Sequence, residues 1–314
     1  MAEETYLLEM VGIDKQFPGT HALDHVDFNL KKGEIHALIG QNGSGKSTLM
    51  NVLSGGLAMD SGHILRSGKP VRITSPISAL DNGIAMIHQE LKLFPDLSVA
   101  ENIFYGRFPK KMGLIDWGKL YDMADEAVAM LSPDIRGRQK IRELSIAQQQ
   151  LVEIVRALVK NTEVVIMDEP TASLTGEETL GLFQVIRRIR DSGVSIIFIS
   201  HRLDEVLEIS DRVTVLRDGV LIGTLERGQI TGKDQLVDMM LSVKPAVLLE
   251  QEHKELGPVV LETRGLCLDK RLRDVSIQLH QGEVLGIAGL VGAGRSELLK
   301  TIFGAYTPEQ GEIL

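Results

Sequence analysis

The residues Gly40, Gln41, Asn42, Gly43, Ser44, Gly45, Lys46 and Ser47 stand between an apolar run at 34–39 and a helical pattern that opens with Thr48. Glycines at these spacings let successive backbone N–H groups curl around phosphate oxygens, and the helix that follows points its positive end at them. Lys46 can then reach the β/γ oxygens, and the Ser47 hydroxyl can hold Mg²⁺. A nucleoside triphosphate is the expected ligand. Farther along, the run Val164, Val165, Ile166 and Met167 ends in Asp168 and Glu169. Two acids at the end of a buried strand supply a metal ligand (Asp168) and a group that polarises an attacking water (Glu169), so with the loop they make a phosphoanhydride hydrolase site. His201 follows a second apolar run, 195–200, and is placed to project towards the γ-phosphate.

These groups need a scaffold that brings them together, and the patterning supplies one. Segments 6–11, 26–30 and 34–39 read as strands, with turns at Pro18-Gly19 and Lys32-Gly33. Segments 164–167 and 194–199 are short continuous apolar runs, as parallel strands covered on both faces require. The helix between them opens with a capping box, Thr175 and Glu178. Segments 116–131 and 146–160 are helical, the latter expected to bury Leu151, Ile154, Val155 and Leu158 at i, i+3, i+4, i+7 spacing. Segments 213–217 and 220–225 form a hairpin joined by Asp218-Gly219. Ser145 takes the N-cap position of the 146–160 helix, whose N-terminus is a further anion site.

Comparison of the chain with itself shows a repeat. Gly33, Glu34, Gly40, Gly43, Gly45, Ser47, Leu49, Gly55, Gly62, Ile64 and Leu65 recur as Gly282, Glu283, Gly289, Gly292, Gly294, Ser296, Leu298, Gly304, Gly311, Ile313 and Leu314, always at the offset that separates Gly33 from Gly282. So long a period means two copies of one domain, not a solenoid. Leu314 corresponds to Leu65, so the second copy is expected to be truncated. The expected organisation is a first domain at 1–243 with a helical part at about 90–160, a linker at 244–258 and the start of a second domain at 259–314. The second copy, lacking strands to cover its apolar faces, is expected to be the less stable.

Composition narrows the class. The 314 residues are 43% hydrophobic but only 4% aromatic, which suits an aliphatic-rich α/β protein. No apolar run approaches the roughly 18 residues of a membrane span, and the acidic start, residues 1–5, lacks the basic and apolar regions of a secretory signal, so a cytoplasmic location is expected. A net charge of -9 argues against a broad nucleic-acid footprint. Cys267, the single cysteine, excludes an internal disulfide and is expected to be a small core residue.

The order of phosphate loop, Gln89 after residues 84–88, the helix start Leu144-Ser145-Ile146-Ala147-Gln148, Asp168-Glu169 and His201 resembles an ABC-type ATPase cassette. The resemblance covers residues 5–314 and is closest to ATP-binding proteins of bacterial monosaccharide importers of the ribose, galactoside, xylose and arabinose group. Three stretches carry it: Gly12-Ile13-Asp14-Lys15-Gln16-Phe17-Pro18-Gly19, Ile87-His88-Gln89-Glu90-Leu91, and Met167-Asp168-Glu169-Pro170-Thr171-Ala172-Ser173-Leu174-Thr175. The resemblance implies a P-loop NTPase fold with an antiparallel β subdomain and a helical subdomain. It implies that Phe17 stacks on adenine, that Gln89 links Mg²⁺ and water to a membrane partner, that Ser145 contacts the γ-phosphate held by an opposing cassette, and that residues 172–175 communicate between sites. The implied partners are membrane permease subunits, an extracytoplasmic solute-binding protein acting indirectly, and a second cassette, with a place at the cytoplasmic face of the membrane.

Two departures stand out. Ala147 occupies a glycine position of the family signature, and Arg295 occupies the lysine position of the second phosphate loop. A planar guanidinium is not the compact charge of an ammonium, so the second loop is expected to handle nucleotide poorly. The competing reading is a soluble tandem-cassette ATPase acting on ribosomes or nucleic acid, which the acidic balance disfavours. A third is a nucleotide-binding regulator without transport.

Overall fold

A computed structural model describes residues 6–129, 131–241, 256–269, 271–289 and 292–314. The acidic start at 1–5 and most of the expected linker lie outside the described residues. The chain divides into two compact units, Met1–Pro245 and Ala246–Leu314.

In the first unit, β1 (Leu8–Phe17) and β2 (Thr20–Leu30) form an antiparallel ribbon, and β3 (Ile35–Ile39) runs through the glycine loop into α1 (Lys46–Leu53). The strands β4 (Ser61–Arg66) and β5 (Lys69–Val71) return to the ribbon, and α2 (Pro76–Asp81) leads into β6 (Ile84–Ile87). A helical excursion follows: α3 (Val99–Ile103), a hairpin of β7 (Lys110–Lys111) and β8 (Leu114–Ile115), α4 (Trp117–Ala129) and α5 (Ile146–Leu158). The chain then alternates as β9 (Val164–Asp168), α6 (Gly176–Asp191), β10 (Ser195–Ile199), α7 (Leu203–Ile209), β11 (Arg212–Arg217), β12 (Val220–Glu226) and α8 (Lys233–Met240).

Two sheets result. One is antiparallel, in the order β2-β1-β4-β5; the other is mixed, in the order β12-β11-β3-β10-β9-β6. In the mixed sheet only the β11–β12 pairing is antiparallel. Every residue of β3 and β10 is buried, which explains apolar runs broken only by His36 and Ser195, both hydrogen-bonded: a strand flanked on both sides and covered on both faces has no solvent face to make polar. One core lies where the antiparallel sheet and α1 meet the mixed sheet, joining Met10, Phe28, Leu49, Ile166 and Ile197. A second packs α6 beneath the same sheet through Phe183, Ile186 and Phe198.

The capping boxes at Ser145 and Thr175 form, their hydroxyls accepting from the Gln148 and Glu178 amides. The expected face of α5 is shifted, however. Leu151 and Leu158 are only half-buried, whereas Val152, Glu153, Ile154, Val155 and Ala157 are buried. The helix is wedged between two cores, Ile154 and Ala157 facing the sheet side and Val152 and Val155 facing α3 and α4, so its covered arc is wider than a one-sided stripe. Glu153 enters this arc because it accepts from the Lys92 amide at 3.3 Å and from Arg156 Nη2 at 2.8 Å.

A polar cluster lies buried at the start of β3. Arg212 Nη1 donates to Glu34 Oε1 at 3.0 Å and the Lys31 amide donates to the same oxygen at 2.6 Å. The His36 ring, fully buried and stacked on Phe28, shares a 2.7 Å hydrogen bond with Thr214 Oγ1. Burial pushes its proton affinity down, against the pull of Glu34.

The second unit repeats the opening elements at the offset seen in the sequence: β13 (Val259–Leu268), β14 (Leu272–His280), α9 (Arg295–Ile302) and β15 (Gln310–Ile313), with sheet order β14-β13-β15 and a small core of Leu266, Leu268, Leu272 and Leu298. Residues 284–288, the counterpart of β3, are not a strand, and Val284 is 98% exposed. In the first unit β3 is paired on one side by β10 and on the other by β11, and residues 259–314 contain no counterpart of either. Cys267 is half-buried, not a core residue, because register shifts on both sides of Leu266 break the alternation and turn Leu266 and Leu268 inward instead.

Limited proteolysis is expected to cut within 283–289 before it cuts β3, β9 or β10; early loss of the first unit with the second intact would contradict this. The first unit is also expected to lose stability as pH falls through the ordinary histidine value of 6.5. The unfolded chain takes up a proton there that buried His36 resists, so unfolding is favoured on the acid side. Urea midpoints compared above and below that pH should differ less for His36→Gln than for the native chain.

Candidate active site

The register of the parallel strands decides what meets what. Ile199 of β10 is level with Leu38 of β3 and with Asp168 of β9, and Ile87 of β6 is level with Met167. The segments leaving the carboxyl ends of these four adjacent strands are the glycine loop, Glu169, Ser200-His201 and His88-Gln89. Carboxyl ends of parallel strands are where open α/β sheets bind ligands. A cleft of about 300 Å³ opens there, lined by Asn42, Gly43, Lys46, Ser47, Thr48, Gln89, Asp168, Glu169 and Ile199.

The loop holds its shape through backbone conformations that side chains disfavour. Gly43 and Gly45 sit at φ 81° and 100°, and a Cβ on Gly45 would lie 2.5 Å from the Ala22 carbonyl oxygen. The first amides of α1 have no intrahelical acceptor and remain available to an anion. Lys46 is 8% exposed, and its ammonium donates to the Gly40 and Gln41 carbonyls, both at 2.8 Å. Burial lowers its proton affinity, while Glu169 and then Asp168 raise it. Burial raises the Asp168 carboxyl, Glu169 adds to the effect, and Lys46 opposes it. Two carboxylates facing one ammonium in a half-buried cleft are thus short of positive charge. The oxygen donors of Ser47, Asp168 and Gln89 are the chemistry a hard divalent cation takes, so the residues fit Mg²⁺.

Glu169 adopts a left-handed backbone at φ 46°, an uncommon conformation for this residue. Its amide donates to the Ile199 carbonyl at 3.0 Å, and its carboxylate Oε1 lies 3.0 Å from His201 Nδ1. Glu205, which sequence reasoning missed, ties the two following segments together: its buried Oε2 accepts from Thr171 Oγ1 at 2.6 Å and from Ser200 Oγ at 2.9 Å. Its contact to Ser200 is local, but the link to Thr171, 34 residues away, is the one that no sequence pattern marks.

Of the expected site residues, Asn42, Gly43, Lys46, Ser47, Thr48, Gln89, Asp168 and Glu169 line one cleft, and His201 joins them through Glu169. Gly40, Gln41, Ser44 and Gly45 shape the loop behind it. Ser145 is not brought to this cleft; it is exposed at the start of α5. Phe17, also outside the lining, ends β1 39% exposed, with Lys15 Nζ 5.6 Å from its ring centre. In the second loop Gly294 keeps a left-handed backbone at φ 85°, but Arg295 and Ser296 are exposed; residues 290 and 291 lie outside the described residues.

Comparison with known proteins identifies the family and the fold. A family model described as "ABC transporter" matches residues 23–172 and 272–314. The "Ribose import ATP-binding protein RbsA 1" of Rubrobacter xylanophilus is 47% identical over 308 residues, 98% of this chain and 61% of that protein. A "Putative ribose/galactose/methyl galactoside import ATP-binding protein 2" of Rhizobium etli is 44% identical over 309 residues, 98% of this chain and 60% of that protein. The chain therefore spans about three fifths of the length of these curated relatives. Among solved structures, the ADP conformation of MJ1267, an ATP-binding cassette of an ABC transporter, is 29% identical with a TM-score of 0.65, over 74% of this chain and 98% of that one. CbiO1 from Clostridium perfringens, part of the ABC transporter complex cbiONQ, is 28% identical with a TM-score of 0.64, over 75% of this chain and 94% of that one. The first unit has the fold of an ABC ATPase cassette, and the chain belongs to the ABC transporter family.

Proposed function

We propose that this chain is the ATP-binding and hydrolysing subunit that energises a membrane importer for a monosaccharide or similar small polar solute. The observation that carries the ATPase reading is the meeting of Lys46, Ser47, Asp168 and Glu169 in one cleft at the ends of adjacent parallel strands. The import reading is supported by what the relatives' names say of those proteins.

On this reading the triphosphate tail lies against the loop amides, and Lys46 exchanges its two carbonyl partners for phosphate oxygens. Ser47, Asp168 and Gln89 would hold Mg²⁺, which when bound neutralises charge developing on the β and γ oxygens. Glu169 orients the attacking water and takes up its proton, and His201 fixes the carboxylate while facing the γ-phosphate. Phe17 offers its exposed ring to adenine. Ser145 lies outside the cleft, so its hydroxyl and the α5 amides meet nucleotide only across an interface with another cassette. Residues 259–314 read as the opening of such a cassette, with Arg295 weakening its phosphate loop. The partners on this reading are permease subunits at the cytoplasmic membrane face and, indirectly, an extracytoplasmic solute-binding protein. Among the described residues no helix is long and apolar enough to cross a membrane.

Glu169→Gln is expected to lower ATP hydrolysis by at least about 100-fold while MgATP still binds, whereas Lys46→Ala should weaken nucleotide binding itself. Full turnover in Glu169→Gln, measured by phosphate release, would remove the carboxylate from the mechanism. Chelation of divalent cations should abolish turnover in the native chain. Solute uptake by vesicles carrying the permease, supplied with the native chain or with Glu169→Gln, tests the import reading: equal uptake would end it.

A further inference from the structure

We propose that Asp14, His21, Asp24 and His25 form a binding site for a divalent transition metal of the zinc class, on the β1–β2 ribbon of the antiparallel sheet.

The convergence of these four side chains is a product of strand irregularity. Residues on a regular strand alternate between faces, so Asp24 and His25 would point apart. The pairing of Ile13 with Val26 and of Lys15 with Leu23 leaves Asp14 alone opposite both Asp24 and His25, which is a β-bulge. His25 meets this with a left-handed backbone at φ 48°. A further shift, between Lys15–Leu23 and Gln16–His21, accommodates Ala22 as an extra residue. Asp14 is the fixed point of the group: its carbonyl accepts from the Asp60 amide at 2.9 Å and its side chain is only 17% exposed.

The resulting distances suit a shared ion. His21 Nε2 is 2.8 Å from Asp14 Oδ2, and His25 Nδ1 is 2.7 Å from Asp24 Oδ1 and 3.7 Å from Asp14 Oδ2. One donor atom from each of Asp14, His21 and Asp24 can be chosen so that all lie within 4.8 Å of one another; His25 stands outside that group and reaches it through Asp24 and Asp14. Two ligands of a tetrahedral zinc sit about 3.3 Å apart, a separation these values bracket. A metal replaces the protons that now bridge nitrogen and oxygen, and the exposed side chains of His21, Asp24 and His25 are free to make the small rotations required. Two imidazoles with two carboxylates favour zinc, copper or nickel over magnesium or calcium, which sets this site apart from the all-oxygen donors in the nucleotide cleft. The opposing account is a pair of independent histidine–aspartate ion pairs that bind no metal.

The test is calorimetric titration of the untagged full chain with Zn²⁺ in excess Mg²⁺, with Co²⁺ absorption reporting imidazole coordination. One saturable equivalent is expected. Its affinity should fall at least about tenfold in His21→Gln, in His25→Gln and in Asp24→Asn, each checked for native circular dichroism, and should persist in His63→Gln. Absence of a saturable equivalent in the native chain, unchanged affinity in the three ribbon variants, or an equal loss in His63→Gln would overturn the proposal.

Discussion

The parallel pairing of β3 with β10, and of β10 with β9, is the constraint from which the site follows. Each loop that reaches the cleft is delivered by the strand before it. Because Leu38, Ile199 and Asp168 share one level of the sheet, the glycine loop, Ser200 and Glu169 emerge side by side. A slip of one residue in either pairing would turn a strand's side chains over and carry its loop out of line. Close packing on both faces of β3 and β10 resists such a slip, as do the specific bonds of their buried polar members, His36 to Thr214 and Ser195 to the Gly33 amide.

Charge is arranged around that frame with little to spare. Lys46 is buried far enough for its ammonium to be disfavoured, and what retains it is a pair of backbone carbonyls and the two acids across the cleft. Asp168 is disfavoured in turn by burial and by Glu169. Each group is therefore poised for a ligand carrying both negative phosphate and a divalent cation, which would relieve the ammonium and the carboxylates together. The left-handed backbone at Glu169 adds positional strain to the same spot, retained because its amide is bonded to Ile199 and the next segment is clamped through Thr171 to Glu205.

Much of this was legible in the sequence because it rests on local chemistry. The glycine spacing, the acids closing a β-branched run, and the hydroxyl-to-carboxylate spacing of the Thr175 cap each carry their meaning within a few residues. What escaped depends on partners distant in the chain. Glu205 looks like any helical acid until Thr171, 34 residues earlier, reaches it. The true buried face of α5 required knowing that it faces two cores. The bulges that gather Asp14, His21, Asp24 and His25 leave no mark on residue patterning. The plainest case is the repeat: residues 35–39 and 284–288 share position and apolar character, yet only the first is a strand, because hydrogen-bonding neighbours decide the matter and composition does not.

That contrast reaches beyond the fold of the second unit. Residues 284–288 carry a line of amide and carbonyl groups without a ladder, beside side chains as water-averse as Val284. Unpaired backbone of this kind is the arrangement along which an added strand pairs.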